Sequence, residues 1–251
     1  MNYGQSTMRI ATVALISMAL VLGFSIPAMA ETINVDFSEG FGLTERVVQI
    51  LALITILSLA PSILIMVTSF VRIVVVLSLL RTAMGVQQSP PNSVIISLAL
   101  FLTAFVMAPV FETAYETGIA PLMNDEIEIG EAFTQSAKPF HAFMLTQVRD
   151  KDLKLFMDLS KTPSVEDQKD IPIQVVVPAF MISELKRAFE IGFLIFVPFI
   201  VIDMVVASVL MSMGMMMLPP VIISLPFKLV FFVLVDGWHL IAGSLVQSFG
   251  V

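Results

Sequence analysis

The sequence predicts an all-α, membrane-associated fold of apolar helical hairpins with kinked helices, joined through one mainly helical polar segment. Three observations carry that prediction. Of the 251 residues, 57 % are apolar and only 13 % are charged, where soluble domains carry about 25 % charged residues. The apolar residues are gathered into long runs, which is how membrane helices read. Prolines and isolated charges interrupt those runs, so straight, uniform spans are not expected.

Residues 1–30 read as a cleavable leader. Arg9 supplies the positive start, Ile10 to Phe24 the apolar centre, and Ala28-Met29-Ala30 a small-residue cleavage site before Glu31. Residues 31–110 hold an N-terminal segment and a first apolar hairpin. Its first run, Val47 to Leu80, is 34 residues long and is interrupted by Pro61 and Arg72; at 1.5 Å per residue it reaches about 50 Å, beyond a hydrocarbon core of about 30 Å. The second run, Val94 to Val110, sits at the short limit for a span.

Residues 111–187 form the polar segment. Apolar spacing at Phe140, Phe143, Met144 and Val148, then at Leu153, Phe156 and Met157, fits amphipathic helices with one buried face. The stretch Ser160 to Asp170 is rich in turn formers and charge and reads as a loop. Residues 188–251 hold a second apolar hairpin, with runs Ile191 to Met211 and Val221 to Val246. Between them lies Met211-Ser-Met-Gly-Met-Met-Met217, five methionines in seven residues, followed by Pro219-Pro220. Methionine is unbranched and polarizable, so Met211, Met213, Met215, Met216 and Met217 make a soft apolar surface. Gly214 and the two prolines argue against a straight helix through it.

With the mature N-terminus outside the cytoplasm, alternate runs place 81–93 inside, 111–187 on the periplasmic side and the methionine turn inside. Basic residues support this orientation weakly, with Arg81 alone in the first inside loop.

Charges at membrane depth are costly and face partners or water. Arg72, Asp203, Lys228 and Asp236 are such charges, and Asp203, Asp236, Glu184 and Glu190 are the candidate acidic partners. Pairing between helices or subunits accounts for them better than a proton relay, because the carboxylates are scattered singly. The chain has no cysteine, a net charge of −7 and no basic tract, which exclude thiolate chemistry and argue against nucleic acid as a partner. No nucleophile elbow, zinc helix or phosphate loop occurs. His141 and His239 stand alone, and Asp236, Trp238 and His239 fit an interfacial belt. Neither enzymatic activity nor a cofactor is expected.

Several ordered stretches resemble the signature of the FliP family. They are Thr68-Ser-Phe-Val-Arg-Ile-Val-Val-Val-Leu-Ser-Leu-Leu-Arg-Thr-Ala-Met-Gly85, Pro90-Pro-Asn92, Ala99-Leu-Phe-Leu-Thr103 with Val106-Met-Ala-Pro109, and Pro178-Ala-Phe-Met-Ile-Ser-Glu-Leu-Lys186. The run from Asp203 to Met217, and Ser224-Leu-Pro-Phe-Lys228 with Asp236-Gly-Trp238, complete the pattern. The resemblance implies a core subunit of the flagellar type III export gate in the bacterial inner membrane and basal body, with relatives in virulence injectisomes. It implies about five copies in a closed helical ring, assembled with FliQ-like and FliR-like subunits and with FlhA-like and FlhB-like proteins of the export apparatus. Unfolded protein substrates would pass through the ring. The methionine loop, above all Met215, Met216 and Met217, would seal the closed pore, and Glu184 and Lys228 would form an inter-subunit ion pair. Helices lying above the bilayer within such an assembly would account for the misfit run lengths and the weak charge asymmetry.

Two readings compete. An ion-coupled transporter needs Asp203 or Asp236 to titrate during transport, and a passive membrane scaffold has no pore to seal.

Overall fold

A computed structural model of the chain describes residues 43–86, 88–161, 170–215 and 218–250. The leader expected at 1–30, its Ala30/Glu31 cleavage point and most of the loop expected at 160–170 lie outside the described residues. The chain divides at Ala52/Leu53, and the packing that follows is that of the unit Leu53–Val251. Every described element is helical, as the sequence predicts.

Helix α1, Leu43–Met66, is apolar all round, and large side chains such as Leu53, Leu57 and Ile63 are exposed along it. Pro61 interrupts the apolar run but not the helix, which continues through it and breaks at 67–69, turning by 67° into α2, Phe70–Ala83. The Thr68 hydroxyl donates to the Ile65 carbonyl at 3.2 Å and accepts from the Phe70 amide at 3.5 Å. Such local bonds offer the backbone an alternative to the helical ladder.

Arg81 in the last turn of α2 donates to the Pro90 carbonyl at 3.3 Å and to Asn92 Oδ1, tying α2 to the start of α3. Helix α3, Asn92–Ala114, continues through a π-helical turn, Tyr115–Ile119, into the short α4, Ala120–Met123. These 32 residues form one apolar rod, reaching about 48 Å. The π turn lies where Gly118 passes α5: a Cβ there would meet Ser136 Oγ and come within 2.6 Å of the Ala132 carbonyl oxygen.

The polar segment folds as expected into α5, Ile129–Gln147, and α6, Asp150–Ser160. Met144 and Leu153 are buried with Val175, Val176 and Phe180, and Phe140, Phe143, Val148, Phe156 and Met157 pack around them. Helix α7, Ile173–Ser212, is 40 residues long and carries Pro178 and Pro198 without breaking. The boundary expected at 187/188 therefore falls inside a continuous helix. Both prolines are followed by further helix-forming apolar residues, and the helix continues through each.

The second hairpin returns through α8, Pro220–Leu234, which turns by 64° at Asp236 into α9, Gly237–Gln247. The core forms where α2 lies against α7 and α3: Ile73, Val76 and Leu77 of α2 meet Ile95, Ala99 and Val106 of α3, Ala188 of α7, and Leu245 and Phe249 from the far end. At the other end of α2, Leu80, Ala83 and Met84 meet Phe199 and Phe232. Among the described residues two helices, Asn92–Met123 and Ile173–Ser212, are long and apolar enough to cross a membrane, or up to four spans if each bent pair counts as one.

Candidate functional site

Arg72 projects from the first turn of α2 into the core and is 1 % exposed. Five donor contacts leave its guanidinium. Nε reaches Glu184 Oε2 at 2.8 Å, and Nη2 reaches Glu184 Oε1 and, at 3.0 Å, Gln147 Oε1. Nη1 donates to the Ser248 carbonyl at 3.1 Å and to Ser248 Oγ at 3.0 Å. The Phe249 ring lies 3.8 Å from the guanidinium carbon, close enough for a cation–π contact. Planar, bidentate pairing of this kind is what arginine offers and lysine does not. Glu184, fully buried, has no other charged partner within salt-bridge distance. Arg187 Nη1 adds a bond to Gln147 Oε1 at 3.1 Å. Four elements thus converge on one side chain: α2, α5, α7 and the turn after α9.

The residue before Glu184 on α7, Ser183, links the core to α6. Its hydroxyl donates to Asp152 Oδ2 at 2.6 Å, and its oxygen accepts from the Arg149 amide at 3.1 Å. Burial raises the Asp152 pKa, but the Ser183 hydroxyl and the Arg149 guanidinium, bonded at 2.8 Å, outweigh it, and the net position is below the ordinary carboxylate range.

A second buried pair lies at the opposite end of α7. Lys228 of α8, 4 % exposed, donates to Asp203 Oδ2 at 2.6 Å and to the Ala83 carbonyl at 3.4 Å. Ser224, one turn before Lys228, donates to the other Asp203 oxygen. Gly85 leaves room beside the ammonium; a Cβ there would stand 4.0 Å from it.

These are pairings within one chain. Glu184 and Lys228, set against each other across a subunit boundary, each have an intrachain partner, Arg72 and Asp203 respectively. The reason is geometric. Residues 184 and 203 are nineteen positions apart on one continuous helix, about 28 Å, so the cations that reach them come from different elements. Asp236, expected as a buried charge, is exposed. It takes a left-handed backbone conformation, φ +52°, at the corner between α8 and α9. Glu190 pairs on the surface with Lys186 at 3.3 Å. Gln147, Ser183, Ser248 and Phe249 escaped the sequence reading, since no local pattern marks an uncharged partner brought from 31 to 176 residues away.

The methionine turn closes α7 as Gly214 and the prolines predict. Gly214 has φ +74°, its amide bonds to the Met211 carbonyl at 3.1 Å, and the Met215 amide reaches back to the Leu210 carbonyl at 3.0 Å. That pair of bonds is a Schellman cap, for which glycine is the favoured residue. Met211 and Met213 are 58 % and 64 % exposed and Met215 is half-buried; Met216 and Met217 lie outside the described residues. An apolar groove of about 390 Å³ between α7 and α8, lined by Val205, Val209, Ile223 and Phe227, runs up to this turn. Among the described residues no cluster of three His, Asp or Glu side chains is placed to hold a metal ion.

The structure thus defines an all-α chain with apolar helices fit to span a membrane, a polar helical segment between them, and charges neutralised in pairs inside its core. The chain belongs to the FliP family, whose family model matches residues 53–245. It is 68 % identical over 223 residues to the flagellar biosynthetic protein FliP of Caulobacter vibrioides, covering 88 % of this chain and 84 % of the relative. It is 56 % identical to the flagellar biosynthetic protein FliP of Bacillus subtilis, over 88 % of this chain and all of that one. With the protein of the same name from Rhizobium meliloti it shares 49 % identity over 96 % of this chain and 99 % of the relative.

Proposed function

We propose that the chain is a core subunit of the flagellar protein export gate, held in the bacterial inner membrane and basal body with residues 111–187 on the periplasmic side. The single observation that carries this reading is the family match across most of the described helices, together with relatives named for flagellar biosynthesis. The exposed surface supports it. Helix α7 spans about 60 Å, twice a bilayer's hydrocarbon thickness, and only 11 % of its most apolar stretch is buried within the chain. Phe189, Phe193, Leu194 and Val205 stand exposed along it. A surface of that extent needs other protein chains or lipid to cover it. About five copies closing into a ring, with FliQ-like and FliR-like neighbours and FlhA-like and FlhB-like proteins beneath, supply that cover.

In such a ring the methionine turns gather on the axis. Met211, Met213, Met215, Met216 and Met217 form an apolar constriction that excludes water and ions by dewetting. Their flexible side chains repack around an unfolded substrate of any sequence. Conductance of the assembled gate in planar bilayers tests the reading. Replacing Met215, Met216 and Met217 by alanine raises the ion leak while the ring still assembles, and an unchanged conductance overturns the seal.

A further inference from the structure

Helix α9 is held to the body in an uneven way. Only Gly237 and Leu245 are buried along its length. Trp238 and Leu240 are 43 % and 54 % exposed. A groove of about 380 Å³ separates its inner face from α7, with Ile191, Leu194 and Ile195 on one wall and Leu240, Ile241 and Ser244 on the other. The turn that follows it is bound much more closely. Ser248 takes two bonds from Arg72, at 3.1 and 3.0 Å, and the Phe249 carbonyl takes one from Gln147 Nε2 at 3.4 Å. The Phe249 ring, 7 % exposed, lies between the guanidinium, 3.8 Å away, and the Phe143 ring, stacked at 6.3 Å.

We propose that Arg72, Gln147 and Phe143 form an intramolecular docking site for the turn Ser248–Phe249, which acts as a detachable clasp fastening α9 to the body of the chain. The site exists without the turn. Arg72 remains bonded to Glu184, and Gln147 Oε1 keeps its bond from Arg187. The site therefore stays charged, ordered and open to an arriving carbonyl and ring when the turn leaves. Released, the turn loses three hydrogen bonds and one aromatic seat, and α9 is left with Leu245, the partly buried Ile241 and Val246, and the Trp238–Phe232 ring contact at 5.3 Å, along a groove that it fills incompletely. The position of α9, and with it the corner at Asp236, is thereby coupled to α5 through two residues that belong to neither helix. This inference rests on the packing of one chain and not on the export-gate reading.

The test uses maleimide labelling of single cysteines in the full-length, membrane-inserted protein, which has none of its own. Leu245→Cys reports α9 and Met144→Cys reports the α5–α7 core, both positions being at most 1 % exposed. Stopping the chain after Gln247, or Phe249→Ala in the full chain, should speed labelling at Leu245→Cys by about tenfold or more. Met144→Cys should change by less than about twofold, the signature of a local opening. Ser248→Ala, which keeps the ring and the backbone carbonyl, should give a rise of about two- to threefold by losing one of several bonds. An unchanged rate at Leu245→Cys, or a parallel rise at both positions, overturns the proposal. The first means that α9 is held without the turn, and the second that the turn belongs to the global core.

Discussion

Removing the charge of Arg72 is the most demanding test of how this core is built. Arg72→Met keeps a long apolar side chain but leaves the fully buried Glu184 carboxylate without its cation. Breaking a buried pair from one side costs about 3–5 kcal/mol, because the remaining charge stays desolvated. On a total stability of about 5–15 kcal/mol that is a large fraction, equivalent to roughly 10²–10³-fold in the folding equilibrium at 1.4 kcal/mol per decade. Glu184→Leu should cost a similar amount from the other side. The informative variant is the double, Arg72→Met with Glu184→Leu, in which neither charge remains. Of the other former partners of Arg72, Gln147 Oε1 still accepts from Arg187 at 3.1 Å and the Ser248 hydroxyl still donates to the Leu245 carbonyl at 2.7 Å, while the Ser248 carbonyl loses its donor. The double variant should therefore lose at least about 2 kcal/mol less than the two single losses added together, the size of coupling expected for residues in contact. Reversible unfolding of the detergent-solubilised protein, followed by circular dichroism, measures all four corners of the cycle. A double variant no more stable than the sum of the singles refutes the claim that charge compensation is what Arg72 and Glu184 do for each other.

Three further outcomes follow from the same geometry. Lys228→Glu places a carboxylate against Asp203 and should cost about 2–4 kcal/mol; adding Asp203→Lys should restore most of it, whereas adding Glu184→Lys should lower stability further, and thermal melts of the two double variants decide between them. The depressed Asp152 pKa adds stability that is fully present above the ordinary carboxylate value of about 3.9 and is lost as pH falls below it toward the folded-state value. Acid titration of unfolding should show Asp152→Asn insensitive in that window, and Ser183→Ala should move the loss to higher pH. Gly118→Ala should cost about 1–3 kcal/mol, since the new methyl group lands against the α5 backbone; adding Ser136→Ala should relieve only part of it, because the Ala132 carbonyl stays 2.6 Å away, and a melt of the pair checks this.

The helical class and the amphipathic pair α5 and α6 were legible because both rest on periodicity, a local property of the chain. So was the glycine cap of the methionine turn. Helix ends were legible less often. Pro61, Pro178 and Pro198 look like breaks, yet all three lie within helices, while the real break at Val67–Ser69 is marked only by Thr68 and Ser69. A proline kinks a helix whose flanking turns are well packed or lipid-facing; it ends one only when the alternative is better satisfied. The charges were legible as a set but not in their pairing. Composition requires that Arg72 and Lys228 find acids, and the right acids were among the candidates, but the choice depends on which faces of α2, α7 and α8 meet. The exposed corner at Asp236 was missed for a related reason, since a charge inside an apolar run looks the same whether the chain continues straight or turns.

Helix α7 can also be described as a lever with a pivot. Proline lacks the amide that would bond to the carbonyl four residues earlier, so the Pro198 turn is the softest point along the rod. On the near side of that point Glu184 is anchored in the core by Arg72. The far side carries Asp203, held by Lys228, and ends at Ser212, fourteen residues on, an arm of about 20 Å. A bend of about 10° at the pivot swings the end of that arm through about 3.5 Å, close to the separation of two carbon atoms in contact. The far arm swings only as far as α8 goes with it, because the Lys228 bond yokes the two. The swing of the far arm is thus set by two residues outside the methionine run, through the amide that Pro198 lacks and the ammonium of Lys228.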